Sequence, residues 1–258
     1  MSNIQTPQKG TLYLVPAPLD FGCDEMPDLQ ATLPLGTLTV AAGLQHWVCE
    51  NAKSARAYLK RIHAITPLCC SIQDMQLVEL PREVHKKGDH NGNFDARGLL
   101  KPALEGHDLG LISEAGMPAV ADPGSSVVRA AHDLGITVVP LVGPVSLLLA
   151  LAASGLNGQN FAFVGYLPQD ASERSQRIRE LESLALRHGQ TQLFIETPYR
   201  NLAMLQSLLQ TLQHNTRLSI GSGLTLQRAK LVSDSVSNWK KKTPAVDNTT
   251  PAVFSIGR

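Results

Sequence analysis

Short apolar runs alternate with amphipathic stretches in the N-terminal half of the chain. Residues 11–15, 109–112 and 136–139 are runs rich in apolar or β-branched side chains, and each predicts a buried strand. Residues 50–62 and 125–134 repeat apolar side chains every three or four positions, which is typical of a helix with one buried face. This alternation predicts an α/β fold with a parallel sheet.

Weaker patterns add further elements to this half. We predict a short helix at residues 28–35, a strand at residues 37–41 and a helix at residues 94–105. An apolar, alanine-rich helix is predicted at residues 145–153.

The pattern changes at residues 154–159, which are rich in Gly and Asn. Predicted strands then outnumber helices, which indicates a mixed or antiparallel sheet. The strands are expected at residues 161–164, 193–196, 217–220, 225–232 and 253–256, and the helices at residues 172–186 and 199–212. We therefore predict two α/β domains, an N-terminal domain of residues 1–157 and a C-terminal domain of residues 158–258.

Two loops follow predicted strands and are candidates for a binding site. The loop after Leu109–Ile112 reads SEAGMPAVADPGS, and its prolines and glycines rule out a regular helix. The loop after the first strand, at residues 16–22, also contains two prolines. In open α/β sheets, ligands bind at the carboxyl ends of the strands. The alternative is an ordinary connection, but such connections are usually only about 2–6 residues long.

Composition narrows the class of protein. The chain has 258 residues, a charged fraction of 17% and a net charge of +1, which is not typical of a protein whose whole surface binds nucleic acid. No apolar run is long enough to span a membrane, and the first residues lack the apolar core of a signal peptide. None of the four cysteines forms a C-x-x-C pair, so we expect reduced thiols in a cytoplasmic protein.

The motif SEAGMPAVADPG resembles the S-D-A-G-x-P-x-x-x-D-P-G signature of the small-subunit rRNA cytidine 2′-O-ribose methyltransferases. These enzymes form a branch of the tetrapyrrole methylase superfamily. Further matches occur in the same order along the chain: GTLYLVPAP at residues 10–18, VVPLVGP at 138–144, AASGL at 152–156, GYLP at 165–168 and ETPYR at 196–200. The chain is therefore identified as a divergent member of this superfamily.

The resemblance implies two α/β domains with a cofactor cleft between them, and S-adenosylmethionine as the cofactor. It also implies a homodimer that acts on structured rRNA. From the residues themselves we expect no membrane and no metal as partner. By the same resemblance, the cofactor contacts come from Pro16, Ser113, Glu114, Ala115, Gly116, Ser146, Tyr166 and Leu167.

The roles of two of the candidate residues stay open at this point. Ser146 lies in the first turn of a predicted helix, where its hydroxyl and the free backbone N–H groups either meet a ligand carboxylate or only cap the helix. Glu50 is the candidate catalytic base for removing a proton from a ribose hydroxyl. The alternative for Glu50 is an acid that stabilises the dipole of the helix it precedes.

Three departures from the family pattern affect the predicted function. The first loop has Asp20 and Phe21 where the family reads P-T-P-I-G-N. The family's A-E-D-T-R element reads Cys49-Glu50-Asn51-Ala52-Lys53, and its R-E-x-T-K element is absent at residues 222–227. The cofactor half is thus mostly kept and the substrate half altered. The alternatives are therefore a methyltransferase for a small molecule such as a tetrapyrrole, or a non-catalytic cofactor-binding relative.

Two polar segments remain. Residues 85–90 contain two histidines, two lysines and an aspartate, which permits a solvated loop, a basic loop that contacts substrate, or a metal site. Two histidines and one aspartate in a glycine-rich loop are too few for a metal assignment, so we predict no metal. Residues 240–242 are three lysines, which fit a solvated helix end better than an RNA contact.

Overall fold

The structure is a computed structural model, and it describes residues 8–87, 89, 94–241 and 246–258. The chain divides into two compact units. The first unit holds the residues up to Phe21 together with Asp28–Pro144, and the second holds Gly22–Pro27 together with the residues from Val145 onward.

The first unit is a five-stranded parallel sheet with helices. Its strands are β1 (Thr11–Leu14), β2 (His46–Cys49), β3 (Gln76–Glu79), β4 (Leu109–Ile112) and β5 (Thr137–Pro140), in the spatial order β3-β2-β4-β1-β5. Its helices are α1 (Leu35–Ala42), α2 (Ala52–His63), α3 (Arg82–Lys87), α4 (Lys101–Leu104) and α5 (Ser125–Asp133), with 3₁₀ turns at Leu29–Ala31 and Arg97–Leu100. The parallel sheet confirms the prediction from the alternating pattern.

Strand β4 lies at the centre of this sheet, and all of its residues are buried. Gly110 allows the Trp47 ring of β2 to pack closely, because a Cβ atom at residue 110 would lie 2.5 Å from that ring. Leu111 and Ile112 belong to different apolar clusters, one with Val127 of α5 and one with Tyr58 of α2. Side chains alternate across a strand, so the sheet has an apolar core on each face, as expected for parallel strands.

The predicted strand at residues 37–41 is wrong, since this segment forms helix α1. The buried residues Thr37, Leu38 and Ala41 follow helical spacing, with Pro34 at the N-cap and Gly43 at the C-cap. Packing of this face against the core thus overrides the preference of β-branched side chains for strands.

Two strands and one helix also differ from the sequence prediction. Strands β2 and β3 were not predicted, since both have only four residues and β3 is a largely exposed edge strand. The helix predicted at residues 94–105 is a 3₁₀ turn followed by the short α4, which has Pro102 in its first turn.

The second unit has a mixed five-stranded sheet. Its strands are β6 (Phe161–Tyr166), β7 (Thr191–Glu196), β8 (Arg217–Ser222), β9 (Lys230–Ser235) and β10 (Ala252–Gly257), in the order β6-β7-β10-β8-β9. Its helices are α6 (Ser146–Ser154), α7 (Ala171–His188), α8 (Asn201–Thr211) and α9 (Val236–Trp239), with a 3₁₀ turn at Pro198–Arg200. Only β6 and β7 are parallel, which confirms the predicted mixed sheet. The strand predicted from residue 225 begins only at Lys230, because two turns precede it, in which Leu226 N–H donates to Gly223 O and Ala229 N–H donates to Leu226 O.

The core of the second unit lies on both faces of its sheet. Phe194 and Phe254 stack on one face, in the cluster that includes Ile178 of α7 and Leu208 of α8. Helix α6 packs against the other face, where Leu147 lies in a cluster with Val253. Because of this packing the compact unit includes α6, whereas the domain boundary predicted from sequence falls after residue 157 and stays a prediction.

The described part of the chain bears on the expected absence of a membrane span and on the state of the cysteines. Within it, no helix is both long enough and apolar enough to cross a membrane. The four cysteines are free thiols. Burial, and next the charge of Glu79, raises the pKa of Cys49 to about 12, so this thiol stays protonated at neutral pH.

Candidate functional site

The loops that follow the strands of the first unit meet at one edge of its parallel sheet. β1 lies between β4 and β5, and β2 lies on the other side of β4. The loops after β1, β2 and β4 begin at Val15, Glu50 and Ser113. This edge therefore brings together the predicted site residues of the first unit: Pro16, Glu50, Ser113, Glu114, Ala115 and Gly116.

Backbone hydrogen bonds join the loop after β1 to the loop after β4. The Ala17 N–H donates to Gly116 O at 2.8 Å, and the Gly116 N–H donates back to Ala17 O at 3.0 Å. Gly116 has a φ of 71°, a conformation that side chains disfavour, and a Cβ atom there would lie 3.2 Å from Leu19 Cδ2. A glycine is therefore required where the two loops meet.

Two side chains of helix α2 bind the loop after β1. The Tyr58 hydroxyl donates to Pro16 O at 2.8 Å, and Arg61 forms an ion pair with Asp20 at 2.8 Å. Burial raises the pKa of Tyr58, so the hydroxyl keeps its proton. Asp20 is only 8% exposed. The aspartate that departs from the family pattern is thus a buried anchor with its own cation in α2.

Several residues of the loop after β4 have positive φ values. Ala119 and Ala121 have φ values of 64° and 67°, and Gly124 has a φ of 134°. For a residue with a side chain, the left-handed region costs roughly 1–2 kcal/mol. The surrounding structure must therefore hold Ala119 and Ala121 in a backbone conformation that residues with a side chain disfavour.

Asp89 caps helix α5. Its carboxylate accepts the N–H groups of Gly124 and Ser126 at 2.9 and 2.8 Å and the hydroxyls of Ser125 and Ser126 at 2.8 and 2.5 Å. Burial alone would raise the pKa of Asp89, but these hydrogen bonds outweigh it and lower the pKa. Asp89 is buried, so its role is structural rather than that of a solvated loop residue.

The rest of the histidine-containing segment is only partly described. His90 and residues 91–93 lie outside the described residues, and so do the side chains of residues 85–87. In the remainder of the chain, no group of at least three His, Cys, Asp or Glu side chains is arranged to hold a metal ion.

Three carboxylates converge beside the paired loops. The Glu114 N–H donates to Glu50 Oε1 at 3.2 Å, and the Ser54 hydroxyl donates to Glu114 Oε1 at 3.2 Å. Asp122 lies beside both acids: burial first, and then the charges of Glu50 and Glu114, raise its pKa to about 7. Sequence reasoning did not select Asp122 as a functional residue, although the D-P-G signature contains it.

The N-terminus of helix α2 is capped by residues other than Glu50, and the two roles considered for Glu50 stay predictions. The N-cap of α2 is Asn51, whose side-chain oxygen accepts the N–H groups of Lys53 and Ser54, and Glu79 accepts the N–H of Ala52. The end of the helix is thus capped by other residues, while the Glu50 carboxylate binds the loop that contains Glu114.

The remaining predicted residues lie in the second unit. Ser146 is the first residue of α6, whose N-cap is Val145 without a side-chain cap, so Ser146 is not the cap of its helix. Tyr166 ends β6 and is largely exposed beside an irregularity in the β6–β7 pairing, where Gly165 has a φ of 73°. The Leu167 side chain is buried in the apolar core. Roles of these residues in binding the cofactor stay predictions.

Residues 48–238 match the sequence pattern of a family described as Tetrapyrrole (Corrin/Porphyrin) Methylases, which covers more than half of the chain. The chain belongs to the tetrapyrrole methylase family. The family predicted from the SEAGMPAVADPG motif is therefore confirmed.

Two tetrapyrrole methylase relatives carry the name Ribosomal RNA small subunit methyltransferase I. The protein of Mesorhizobium japonicum is 30% identical over 219 residues, which cover 85% of this chain and 65% of that protein. The protein of Vibrio cholerae is 34% identical over 137 residues, which cover 53% of this chain and 46% of that protein. This chain thus spans about half of the second relative's length and less than two thirds of the first.

A solved structure has the same fold. It is uroporphyrin-III C-methyl transferase from Thermus thermophilus, complexed with S-adenyl homocysteine. The TM-score is 0.54 and the identity 18%, with 96% of this chain and 98% of that chain covered. The predicted fold class, two α/β domains of the tetrapyrrole methylase type, is therefore confirmed.

Proposed function

We propose that this tetrapyrrole methylase is an S-adenosylmethionine-dependent methyltransferase that methylates a ribose hydroxyl of small-subunit rRNA. The observation that carries the substrate class is the 30% identity over 85% of the chain to a protein named for small-subunit rRNA methylation. The rRNA partner, a homodimer and a cytoplasmic location belong to this proposal.

The residues of the first unit fit a polar cofactor. Ser113 is 5% exposed, and its Oγ atom has no hydrogen-bond partner among the described residues. An unpaired buried hydroxyl is unfavourable unless a ligand or water completes it. We propose that Pro16, Ser113, Glu114, Ala115 and Gly116 contact the cofactor, with Ser146, Tyr166 and Leu167 as proposed contacts in the second unit.

The reaction needs few groups beyond those of the site. The cofactor, when bound, supplies a methyl group on a positively charged sulfur. The protein must then hold an acceptor oxygen in line with that methyl group, exclude water and take up a proton. Glu50 is the candidate that the sequence offers for taking up this proton, and its carboxylate accepts the N–H of Glu114.

A second candidate function is methylation of a small molecule such as a tetrapyrrole. It is supported by the name of the Thermus thermophilus protein and by a net charge of only +1. A third candidate is a non-catalytic relative that binds the cofactor, which the altered A-E-D-T-R and R-E-x-T-K elements favour.

Calorimetric titration with S-adenosylmethionine and S-adenosylhomocysteine tests the proposal. We expect micromolar binding of both ligands, and a loss of at least tenfold in affinity for Gly116→Leu, whose side chain would fill the junction of the two loops. Gly158→Leu is the matched control, because a Cβ atom there meets nothing within 4 Å. A folded wild-type protein that binds neither ligand at millimolar concentration would overturn the proposal.

The substrate is tested separately. Binding of small-subunit rRNA that weakens steeply with salt supports the rRNA proposal, because salt-dependent affinity indicates contacts to phosphates. Cofactor binding without RNA binding points to the small-molecule or the non-catalytic alternative.

A further inference from the structure

Asp122 lies in the DPG turn before α5, and its side chain does not cap this helix. Asp89 already accepts the N–H groups at the start of this helix. Within the described part of the chain, the side chain of Asp122 forms no hydrogen bond or ion pair. It is nevertheless half-buried beside two other acids, Glu50 and Glu114.

This placement is unfavourable in two independent ways. Like charges at close range repel one another, and the backbone on the N-terminal side of Asp122 is strained at Ala119 and Ala121. Strained backbone and clustered acids persist only where the surrounding structure enforces them, and they concentrate at functional sites. Neither feature contributes to the stability of the fold, so a role in the reaction is the simplest explanation.

A separate observation indicates that a ligand belongs at this place. Ser113 is buried, and its hydroxyl is unpaired among the described residues. Side chains two residues apart along a strand point to the same face of the sheet. Ser113 therefore shares a face with Leu111, and the loop before α5 packs on that face. On that face a Cβ atom at Gly124 would lie 3.0 Å from Leu111 Cδ2. The unpaired hydroxyl thus lies on the side of the sheet where Asp122 precedes α5.

We propose that Asp122, in place of the sequence candidate Glu50, is the catalytic base of this site and accepts the proton of the hydroxyl that is methylated. This inference rests on the proposed function and deepens it. The acceptor oxygen forms a bond to the methyl carbon as the carbon–sulfur bond breaks, the electron pair stays on sulfur, and the hydroxyl proton passes to the Asp122 carboxylate. Glu50 and Glu114 are positioning residues, whose charges keep that carboxylate basic.

Hydrogen bonds distinguish the three acids. Glu50 accepts the N–H of Glu114, and Glu114 accepts the hydroxyl of Ser54. The two glutamates are thus already bound to neighbouring groups of the protein by hydrogen bonds. Asp122 receives none from a described residue, and its pKa of about 7 suits proton transfer at neutral pH. Among the described side chains, the charges that act on Asp122 are those of Glu50 after β2 and Glu114 after β4.

The first test titrates the aspartates of the ligand-free protein. Carbon-13-labelled aspartate is followed by NMR from pH 3 to 9, and Asp122→Asn assigns the signal. We expect a midpoint near 7. In Glu50→Gln that midpoint moves to lower pH, because one neighbouring negative charge is removed. Asp133→Asn, at the exposed end of α5, is the matched control and leaves the signal unchanged. A midpoint near 4 in the wild-type protein would overturn the inference.

The second test measures single-turnover methyl transfer to small-subunit rRNA. Asp122→Asn is expected to lower the rate by about 10²–10⁴-fold and to flatten the rise of the rate through pH 7. Its affinity for S-adenosylmethionine stays within about threefold of wild type, which separates a loss of catalysis from a loss of folding or binding. Asp122→Glu keeps a carboxylate and is expected to recover part of the rate and its pH dependence.

The outcomes for the inference and for the proposed function are distinct. A wild-type protein that binds the cofactor but methylates no rRNA contradicts the proposed substrate, and the NMR titration then decides the inference. If the wild-type protein methylates rRNA and Asp122→Asn does so at the same rate with the same pH profile, the inference is wrong and the proposed function stands.

Discussion

Two acidic residues at the same edge of the parallel sheet have opposite surroundings. Asp20, in the loop after β1, is buried against Arg61 at 2.8 Å. Asp122, in the loop after β4, lies beside Glu50 and Glu114, and no cation among the described residues pairs with it. The first arrangement satisfies a buried charge and fixes a loop, whereas the second raises the proton affinity of a carboxylate. The neighbours of an acidic side chain thus determine its role: a neighbouring cation makes it a structural anchor, and neighbouring acids make it a proton acceptor.

The largest expected effect comes from breaking the anchor. Arg61→Met leaves Asp20 buried without its cation, and removal of one partner of a buried pair costs about 3 kcal/mol. The free energy of unfolding in urea measures the loss. Lys60→Met, on an exposed position of the same helix, is the control and is expected to change it little. An equal effect of both substitutions would show that the ion pair adds no stability.

A smaller loss is expected when the cap of α5 is removed. Asp89→Ala deprives Gly124 and Ser126 of their acceptor, and loss of a helix cap costs up to about 2 kcal/mol. Thermal unfolding checks this value. Asp133→Ala at the other end of α5 removes the same kind of charge without a cap and serves as the control. An unchanged melting temperature for Asp89→Ala would contradict the capping role.

The smallest effect concerns the pH dependence of stability at Asp122. The pKa is 3.8 in the unfolded chain and about 7 in the folded protein, so the folded state binds more protons between these values. Unfolding then releases protons, and stability decreases as pH rises from about 4 to about 7. Asp122→Asn removes this loss. We expect it to be about 1 kcal/mol more stable than wild type at pH 8 and equal to it at pH 4, since one pKa unit corresponds to about 1.4 kcal/mol and partial exposure reduces the effect.

Denaturation at pH 4, 6 and 8 measures this difference. A gap between wild type and Asp122→Asn that stays constant with pH would show that Asp122 carries an ordinary carboxylate. Asp122 would then not differ from Asp20 in its proton affinity, and the ion pair between Asp20 and Arg61 would be unaffected by this result.

Much of the first unit was predictable because its signals are local. The run Leu109–Ile112 is apolar throughout and became β4, and the apolar spacing after Gly124 became α5. The SEAGMPAVADPG motif identified the family, since glycines and prolines at fixed spacing define a loop conformation directly. Helix α1 was missed because its β-branched residues favour a strand until they pack against a core.

The site itself was predictable only in part. Ser113 and Gly116 were selected from the motif. Gly116 pairs with Ala17 of the loop after β1, and Ser113 has a buried, unpaired hydroxyl among the described residues. Their roles in binding a cofactor stay predictions. The partnership of Asp20 with Arg61 was not predicted, because it joins a loop to a helix distant in sequence. The functional weight of Asp122 was missed for the same reason, since nothing in D-P-G shows which charges lie beside it.

The sequence by itself determined the family, the parallel and mixed sheets and the loops at the strand ends, because these follow from local spacing of apolar residues, glycines and prolines. Only the tertiary structure decided which acid is neutralised and which is surrounded by other acids. Charge interactions act through space over a few ångströms, and the chain segments that supply Glu50, Glu114, Asp122, Asp20 and Arg61 come within that range only when the sheet has formed.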